Sequence, residues 1–288
     1  LLVVGCLALI AAGRAGAVTS LVNDDFSAGL GGWYFYNTGN GSAAWGAATA
    51  PANSAPLSGN VMRNQQGSAS NTSGIIQWSD VTLGVGDSLQ VSLNFMTTAA
   101  VTTTSSLSLN LLGGVSTFSS NQLGTGATPF TNATGYNFTT SLNNSGTSFR
   151  DTSPNTTGTP GTGVSTTGAQ PVTSSPAIVM GDGTAHTLVF TLTRAANGMQ
   201  ISASIDGNAY SLSGSTVYLD PNSLTTTFDT LMINDSTNGM PSGYSLIDNV
   251  SVTLTTVPEP PAILLMGGGL LLVLAASVRR LRRGAAVL

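Results

Sequence analysis

The side chains in this sequence that could do chemistry are mostly aspartates. Eleven are present, at positions 24, 25, 80, 87, 151, 182, 206, 220, 229, 235 and 248. The chain has no lysine, one histidine (His186), one cysteine (Cys6) and one glutamate (Glu259). Without lysine there is no Schiff-base amine and no phosphate-loop ammonium. A Ser-His-Asp triad would have to use His186, and a zinc site built on several His or Cys ligands cannot be assembled. Paired aspartates can hydrolyse a glycosidic bond, one protonating the leaving oxygen while the other acts as base or nucleophile. Trp33, Tyr34, Phe35, Tyr36, Trp45 and Trp78 offer a different chemistry. An exposed ring, above all Trp33 or Trp45, would stack on the C–H face of a sugar. Alternation along a strand nevertheless turns at least two of residues 33–36 into a core, and each tryptophan is also an ordinary core residue.

Charge narrows the partners. Residues 18–256 hold all eleven aspartates and the arginines 63, 150 and 194, so eleven negative charges against three positive leave −8. Such a surface has no basic patch to neutralise phosphates, which excludes nucleic acid. It suits an exported, soluble domain. Cys6 falls in the apolar N-terminal stretch, so this region has neither a disulfide nor thiol chemistry.

The elements that would position these residues are strands. Leu89, Val91, Leu93 and Phe95 alternate with Gln90, Ser92 and Asn94, and Leu107, Leu109 and Leu111 repeat the period. Leu188, Phe190 and Leu192 follow it, then Met199, Ile201, Ala203 and Ile205, and finally Val250, Val252 and Leu254. Period two with one apolar face is the pattern of half-buried antiparallel strands. Asn197-Gly198 and Asp206-Gly207 mark turns, the first closing a hairpin between the strands around residues 188–192 and 199–205. The predicted fold is all-β: a two-sheet, jelly-roll-like β-sandwich over residues 18–256. A Ser/Thr/Gly-rich insertion around residues 139–175, poor in apolar side chains, is expected to be a mobile surface segment with room for short edge strands. His186 is expected at a strand start on a sheet edge.

Two local patterns carry resemblances. The stretch from Asp182-Gly183-Thr184 through His186 to Ile205-Asp206-Gly207 is similar to laminin-G-like and concanavalin-type jelly rolls. Asn23-Asp24-Asp25-Phe26 with Gly31-Gly32-Trp33, and the late Ile247-Asp248-Asn249-Val250, resemble the first and last strands of carbohydrate-binding-module jelly rolls. In those folds the two strands lie close together and often share a structural calcium. The resemblance implies that Asp24 or Asp25, with Asp248, supplies the carboxylate oxygens such an ion prefers. The plain alternative makes Asp24 and Asp25 turn formers and Asp248-Asn249 an exposed pair.

The ends address the protein. Pro258-Glu259-Pro260 precedes an apolar, uncharged run at residues 262–278, followed by Arg279, Arg280, Arg282 and Arg283. As a helix the run spans about 26 Å, near the short end of what crosses a bilayer. The arginines behind it act as a stop-transfer signal that holds this end in the cytoplasm. In that order at the C-terminus, these parts resemble the PEP-CTERM sorting domain of Gram-negative bacteria. The resemblance covers residues 257–288 and implies an exosortase as partner, cutting near the motif. At the other end, residues 1–17 read as a secretory signal with cleavage after Ala15-Gly16-Ala17. They lack an initiator Met and a basic n-region, so residues are expected to be missing ahead of Leu1.

The expected protein is exported, passes through an inner-membrane-anchored intermediate, and ends at the cell surface or in the extracellular matrix. Its expected role is structural or adhesive, with exopolysaccharide as a contact and no catalysis. The alternative is a secreted polysaccharide-degrading enzyme using an aspartate pair.

Overall fold

A computed structural model describes residues 16–37, 44–52, 54–65, 72–98, 101, 105–123, 130, 133–142, 147–152, 170–171, 180–211, 214–223, 225–236 and 244–257. The sorting motif, the apolar run and the arginines behind it lie outside these residues, as does most of the signal segment. Among the described residues no helix is long and apolar enough to cross a membrane.

In chain order the strands are β1 (Ala17–Asp24), β2 (Trp33–Asn37), β3 (Ala44–Thr49), β4 (Asn60–Gln65), β5 (Thr72–Thr82) and β6 (Ser88–Thr97). There follow β7 (Ser106–Gly113), β8 (Gln122–Leu123), β9 (Thr134–Ser141), β10 (Thr147–Thr152), β11 (Gln170–Pro171) and β12 (Ala185–Ala195). The last are β13 (Gly198–Ile205), β14 (Asn208–Ala209), β15 (Tyr218–Asp220), β16 (Thr227–Ser236) and β17 (Ser245–Thr256). Sheet A runs β14-β13-β12-β6-β17-β4-β3, with β1 beside β17 and β15 beside β13. Sheet B runs β11-β10-β9-β7-β16-β5-β2-β8. Apart from β1, the strands pair antiparallel except where β8 lies parallel to β2.

The two sheets form a β-sandwich because each strand turns its apolar alternates the same way. Leu89, Val91, Leu93 and Phe95 of sheet A share one buried cluster with Leu107, Leu109, Leu111, Tyr136 and Phe138 of sheet B. Leu188, Phe190 and Leu192 join it, as do Met199, Ile201 and Ile205. The expected hairpin is present, Ala195 pairing with Gly198 across a two-residue loop. At the next turn both Asp206 (φ 49°) and Gly207 (φ 77°) are left-handed, which is what a two-residue turn of the mirror type requires.

One polar layer interrupts this core. Asn64, Ser245 and Thr97 stand side by side across β4, β17 and β6, all fully buried. Asp235 of sheet B is buried as well and accepts the Asn64 amide at 2.9 Å.

The insertion around residues 139–175 holds the short strands β10 and β11 at the end of sheet B, and its first residues belong to the sheet proper. Residues 139–141 complete β9, and β10 pairs with β9 so that Phe149 lies opposite Phe138. Phe138 and Leu142 are fully buried, and this apolar anchoring was obscured by the Ser/Thr composition around it. Residues 153–169 lie outside the described residues.

Candidate functional site

The outer face of sheet A is where this fold presents side chains in a regular array. With Leu89, Val91 and Leu93 turned inward, β6 turns Ser88, Gln90 and Ser92 outward, and β12, β13 and β17 do the same in register. Thr253, Gln90, Thr191 and Ser202 form one row across four strands. Thr255, Ser88, Thr193 and Gln200 form the row on one side of it. On the other side Ser251, Ser92, Val189 and Ser204 line up. All are half-exposed or exposed, and none is ionisable. Side chains bond across the rows, the Gln90 amide donating to Thr191 Oγ1 at 3.2 Å and the Asn94 amide to Thr187 Oγ1 at 2.9 Å. Neighbouring strands lie about 4.8 Å apart, so the array presents hydroxyls, amides and threonine methyls at short, fixed intervals. The sequence showed these residues only as the polar alternates of strands. The signal that could have found them is the absence of charge at the outward positions of four strands in an otherwise acidic domain.

One corner of the array is bounded by the predicted aspartates. A register shift in β17 between Asp248 and Ser251 places Asn249 at φ 51° and buries Asp248 completely, so it is not half of an exposed pair. The Asp248 carboxylate accepts the Ser58 N–H at 2.9 Å and the Asn249 N–H at 2.8 Å. The Asn249 amide in turn donates to Asn94 Oδ1 at 2.9 Å. Burial raises the Asp248 pKa, partly opposed by these N–H donors, and the charges of Asp25 and Asp24 raise it further. Asp24 and Asp25 therefore lie near enough for their charges to act on Asp248.

Each of the three carboxylates is already engaged by the chain itself. Asp24 uses Oδ1 to accept the Phe26 N–H and Oδ2 to accept the Trp33 indole N–H, both at 2.8 Å. Asp25 accepts the Ser27 N–H at 3.0 Å. Among the described residues, no three Asp, Glu, His or Cys side chains converge to hold a metal. The N–H donors aimed at each carboxylate make the three aspartates clasps of the chain.

The tryptophans also face inward. Trp33 is 5% exposed and packs on the fully buried Phe26 with ring centroids 5.8 Å apart. Trp45, half-buried, stacks on Phe35 at 5.6 Å and belongs to the main core. Trp45 pairs with the buried Asn64 across β3 and β4, so its ring points into the sandwich. Neither ring belongs to the open array.

Other aspartates repeat the clasp. Asp87 accepts the Gly84 N–H, Asp182 the Thr184 N–H, Asp206 the Thr187 N–H and Asp220 the Asn222 N–H. Asp229 accepts the N–H groups of Gly114 and Val115. Asp80 stands near enough to Asp229 for its charge to raise the Asp229 pKa, but the larger cause is burial. His186, at the start of β12 and 5% exposed, places Nδ1 2.8 Å from Asp206 Oδ2. Its Nε2 lies 3.1 Å from Thr184 Oγ1 and 3.3 Å from Asp182 Oδ1. It ties two turns together. Burial works to raise the Asp182 pKa, yet the Thr184 hydroxyl and N–H, with His186, bring it below its ordinary value.

No protein-family model matches the chain, and no curated protein matches its sequence. Solved structures resemble it in outline. A galectin-like-fold protein of unknown function from Bacillus subtilis is 10% identical over 85% of this chain and 99% of that one, with a TM-score of 0.49. The endo-1,3-beta-glucanase of Streptomyces sioyaensis is 15% identical over 86% and 100%, also at 0.49. The carbohydrate recognition domain of Emp46p is 12% identical over 81% and 95%, at 0.46. At these scores the likenesses carry no argument about what this chain does.

Proposed function

We propose that this is an exported, non-catalytic protein of the cell surface or extracellular matrix. Its jelly-roll-like sandwich contacts polysaccharide, and its tail is processed by an exosortase. The observation that carries the polysaccharide contact is the uncharged array on sheet A. A hydroxyl and amide surface exchanges hydrogen bonds with sugar hydroxyls without stripping water from a charge. The non-catalytic part is supported by the aspartates. Eight of them accept backbone N–H groups, which commits them to holding turns and bulges. An enzyme working through an aspartate pair would need two carboxylates free to face a substrate.

The sorting part rests on Pro258-Glu259-Pro260, the apolar run and the four arginines in that order. It places residues 18–256 outside the inner membrane and the arginines inside, until the tail is cut. The test is mass spectrometry of the full-length chain expressed in a host with an exosortase. Mature protein should lack residues 262–288, and Glu259→Ala should accumulate uncut in the membrane fraction. Intact tails on most of the extracellular protein would refute the sorting proposal.

A further inference from the structure

Residues 18–256 carry fourteen formal charges, eleven aspartates and three arginines, and none of them sits on the open array. The nearest exposed charges at its Thr187 end are negative. Asp206 has 37% of its side chain exposed and Asp182 has 41%, and both adjoin His186 at the start of β12. The arginines stand off its rows, Arg194 following Thr193 at the far end of β12. The guanidinium of Arg194 donates to Ser223 Oγ, and that of Arg63 lies 4.8 Å over the Tyr244 ring. Arg150 belongs to β10 of the other sheet.

From these observations we infer that the array takes an uncharged, hydroxyl-bearing polysaccharide, held along the row Thr253, Gln90, Thr191 and Ser202. This rests on the polysaccharide reading above and specifies its ligand. An anionic polymer would approach a domain of net charge −8 past two exposed carboxylates and meet a single cation, Arg194, at the array's far end. Asp206 bonds to the N–H of Thr187, four residues or about 13 Å along β12 from Thr191 at about 3.3 Å per residue. That distance exceeds the Debye length of about 8 Å at physiological ionic strength. Repulsion of polyanions is then strongest in dilute buffer, and binding of a neutral chain is insensitive to salt. The side chains suit a neutral chain in detail. Threonine presents a methyl beside its hydroxyl, and Val189 adds an apolar spot one row away, so the C–H faces and hydroxyls of a sugar both find partners. Because these side chains stand on central strands of a sheet, little ordering entropy opposes contact.

The test is co-sedimentation of the full-length chain, kept soluble in a detergent without a sugar headgroup, with insoluble β-1,3-glucan and with cellulose. Alginate and heparin beads serve as the anionic arm. Retention on at least one neutral glucan, unchanged between low and high sodium chloride, is expected, with none on the anionic beads. Thr191→Asp should lower retention about tenfold, the effect of roughly 1.4 kcal/mol, while Thr191→Ser keeps it and both variants melt like the parent. Retention on alginate or heparin in preference to glucan would overturn the inference about charge. Neutral retention that Thr191→Asp leaves intact would overturn the assignment to this row. If no glycan of either kind retains the parent chain, the polysaccharide reading itself falls, and this inference with it.

Discussion

Among the described residues an apolar roof packs on the outer face of sheet B, while on sheet A it packs on one corner alone. On sheet B the roof is Val115, Phe118, Phe130 and Ala133, packed on Tyr36, Ile75, Leu112 and Met232. Its rings interlock, Phe118 lying 5.7 Å from both Tyr34 and Phe130. On sheet A the covered corner is smaller, with Leu57 over Val61 and Leu246. Each cover is fastened in the same way. Asp229 grips the N–H groups of Gly114 and Val115, and Asp248 grips that of Ser58. Both aspartates sit at register shifts, in β16 between Phe228 and Thr230 and in β17 between Asp248 and Ser251. A bulge re-aims a side chain that regular pleating would hold in line, and here it aims a carboxylate at the cover. The difference between the faces therefore lies in what the outward alternates are. Where they are Ile75, Met232 and Leu112 the chain folds back over them; where they are Gln90, Thr191 and Thr253 no apolar cover is found among the described residues, and the side chains are exposed or half-exposed.

The largest effect that could break this contrast is removal of a roof ring. Phe118 is 4% exposed, and Phe118→Ala is expected to cost about 3 to 4 kcal/mol from lost burial and the cavity left behind. Thr191→Ala on the open face should stay within about 0.5 kcal/mol, as surface changes generally do. Chemical denaturation of both variants measures the difference. Similar losses at the two positions would mean that the open face is covered after all.

Much of the sandwich was legible because alternation reports the inward face directly. The strands at residues 89–95, 107–111 and 188–205 are where Leu, Phe and Ile recur every second residue. The roof was not legible. It depends on Phe118 and Phe130, isolated in Ser/Thr/Gly-rich sequence, meeting Tyr34 and Tyr36 from far along the chain. The aspartates were legible as residues but not in their role. Bulge positions do not follow from period two, and whether a carboxylate meets a cation or an N–H group depends on backbone geometry that no spacing rule supplies. Trp33 shows the same limit, its indole N–H meeting Asp24 nine residues away inside the fold.

The second effect concerns charge between the sheets. Asp235 accepts the Asn64 amide, and burial, only partly opposed by the Ser245 hydroxyl and that amide, pushes its pKa up to about 6. A carboxyl raised from its unfolded value of 3.8 binds its proton more tightly in the folded state. Its stabilising contribution is complete below the unfolded value and is lost as pH rises through about 6. Asp229 and Asp248 are shifted in the same direction by burial, so their contributions have the same sign. The chain should accordingly melt higher near pH 4.5 than near pH 7.5. Asp235→Asn should flatten most of that slope and stabilise the protein at alkaline pH by up to roughly 3 kcal/mol, from 1.36 kcal/mol per pKa unit. Melting that falls on acidification, or an Asp235→Asn variant with the parent's slope, would show that Asp235 is not the titrating group.

The smallest expected effect separates two roles for the aspartates at the corner of sheet A. If Asp24, Asp25 and Asp248 held calcium, the ion would stabilise the folded chain by RT ln(1 + [L]/Kd), about 2.7 kcal/mol at a hundredfold excess. Their oxygens instead accept N–H groups from Phe26, Trp33, Ser27, Ser58 and Asn249. A calcium ion entering there would share those oxygens with donors that already stabilise the carboxylate charge, which lowers what the ion can gain. Melting temperatures in millimolar calcium and in chelator should therefore agree within about a degree, a change of a few tenths of a kcal/mol. Asp248→Ala should lower both alike, because the grip on Ser58 goes with the carboxylate whether or not calcium is present. A calcium-dependent rise of several degrees that Asp248→Ala abolishes would restore the metal, and would make the corner of sheet A an ion site where sheet B has only a clasp.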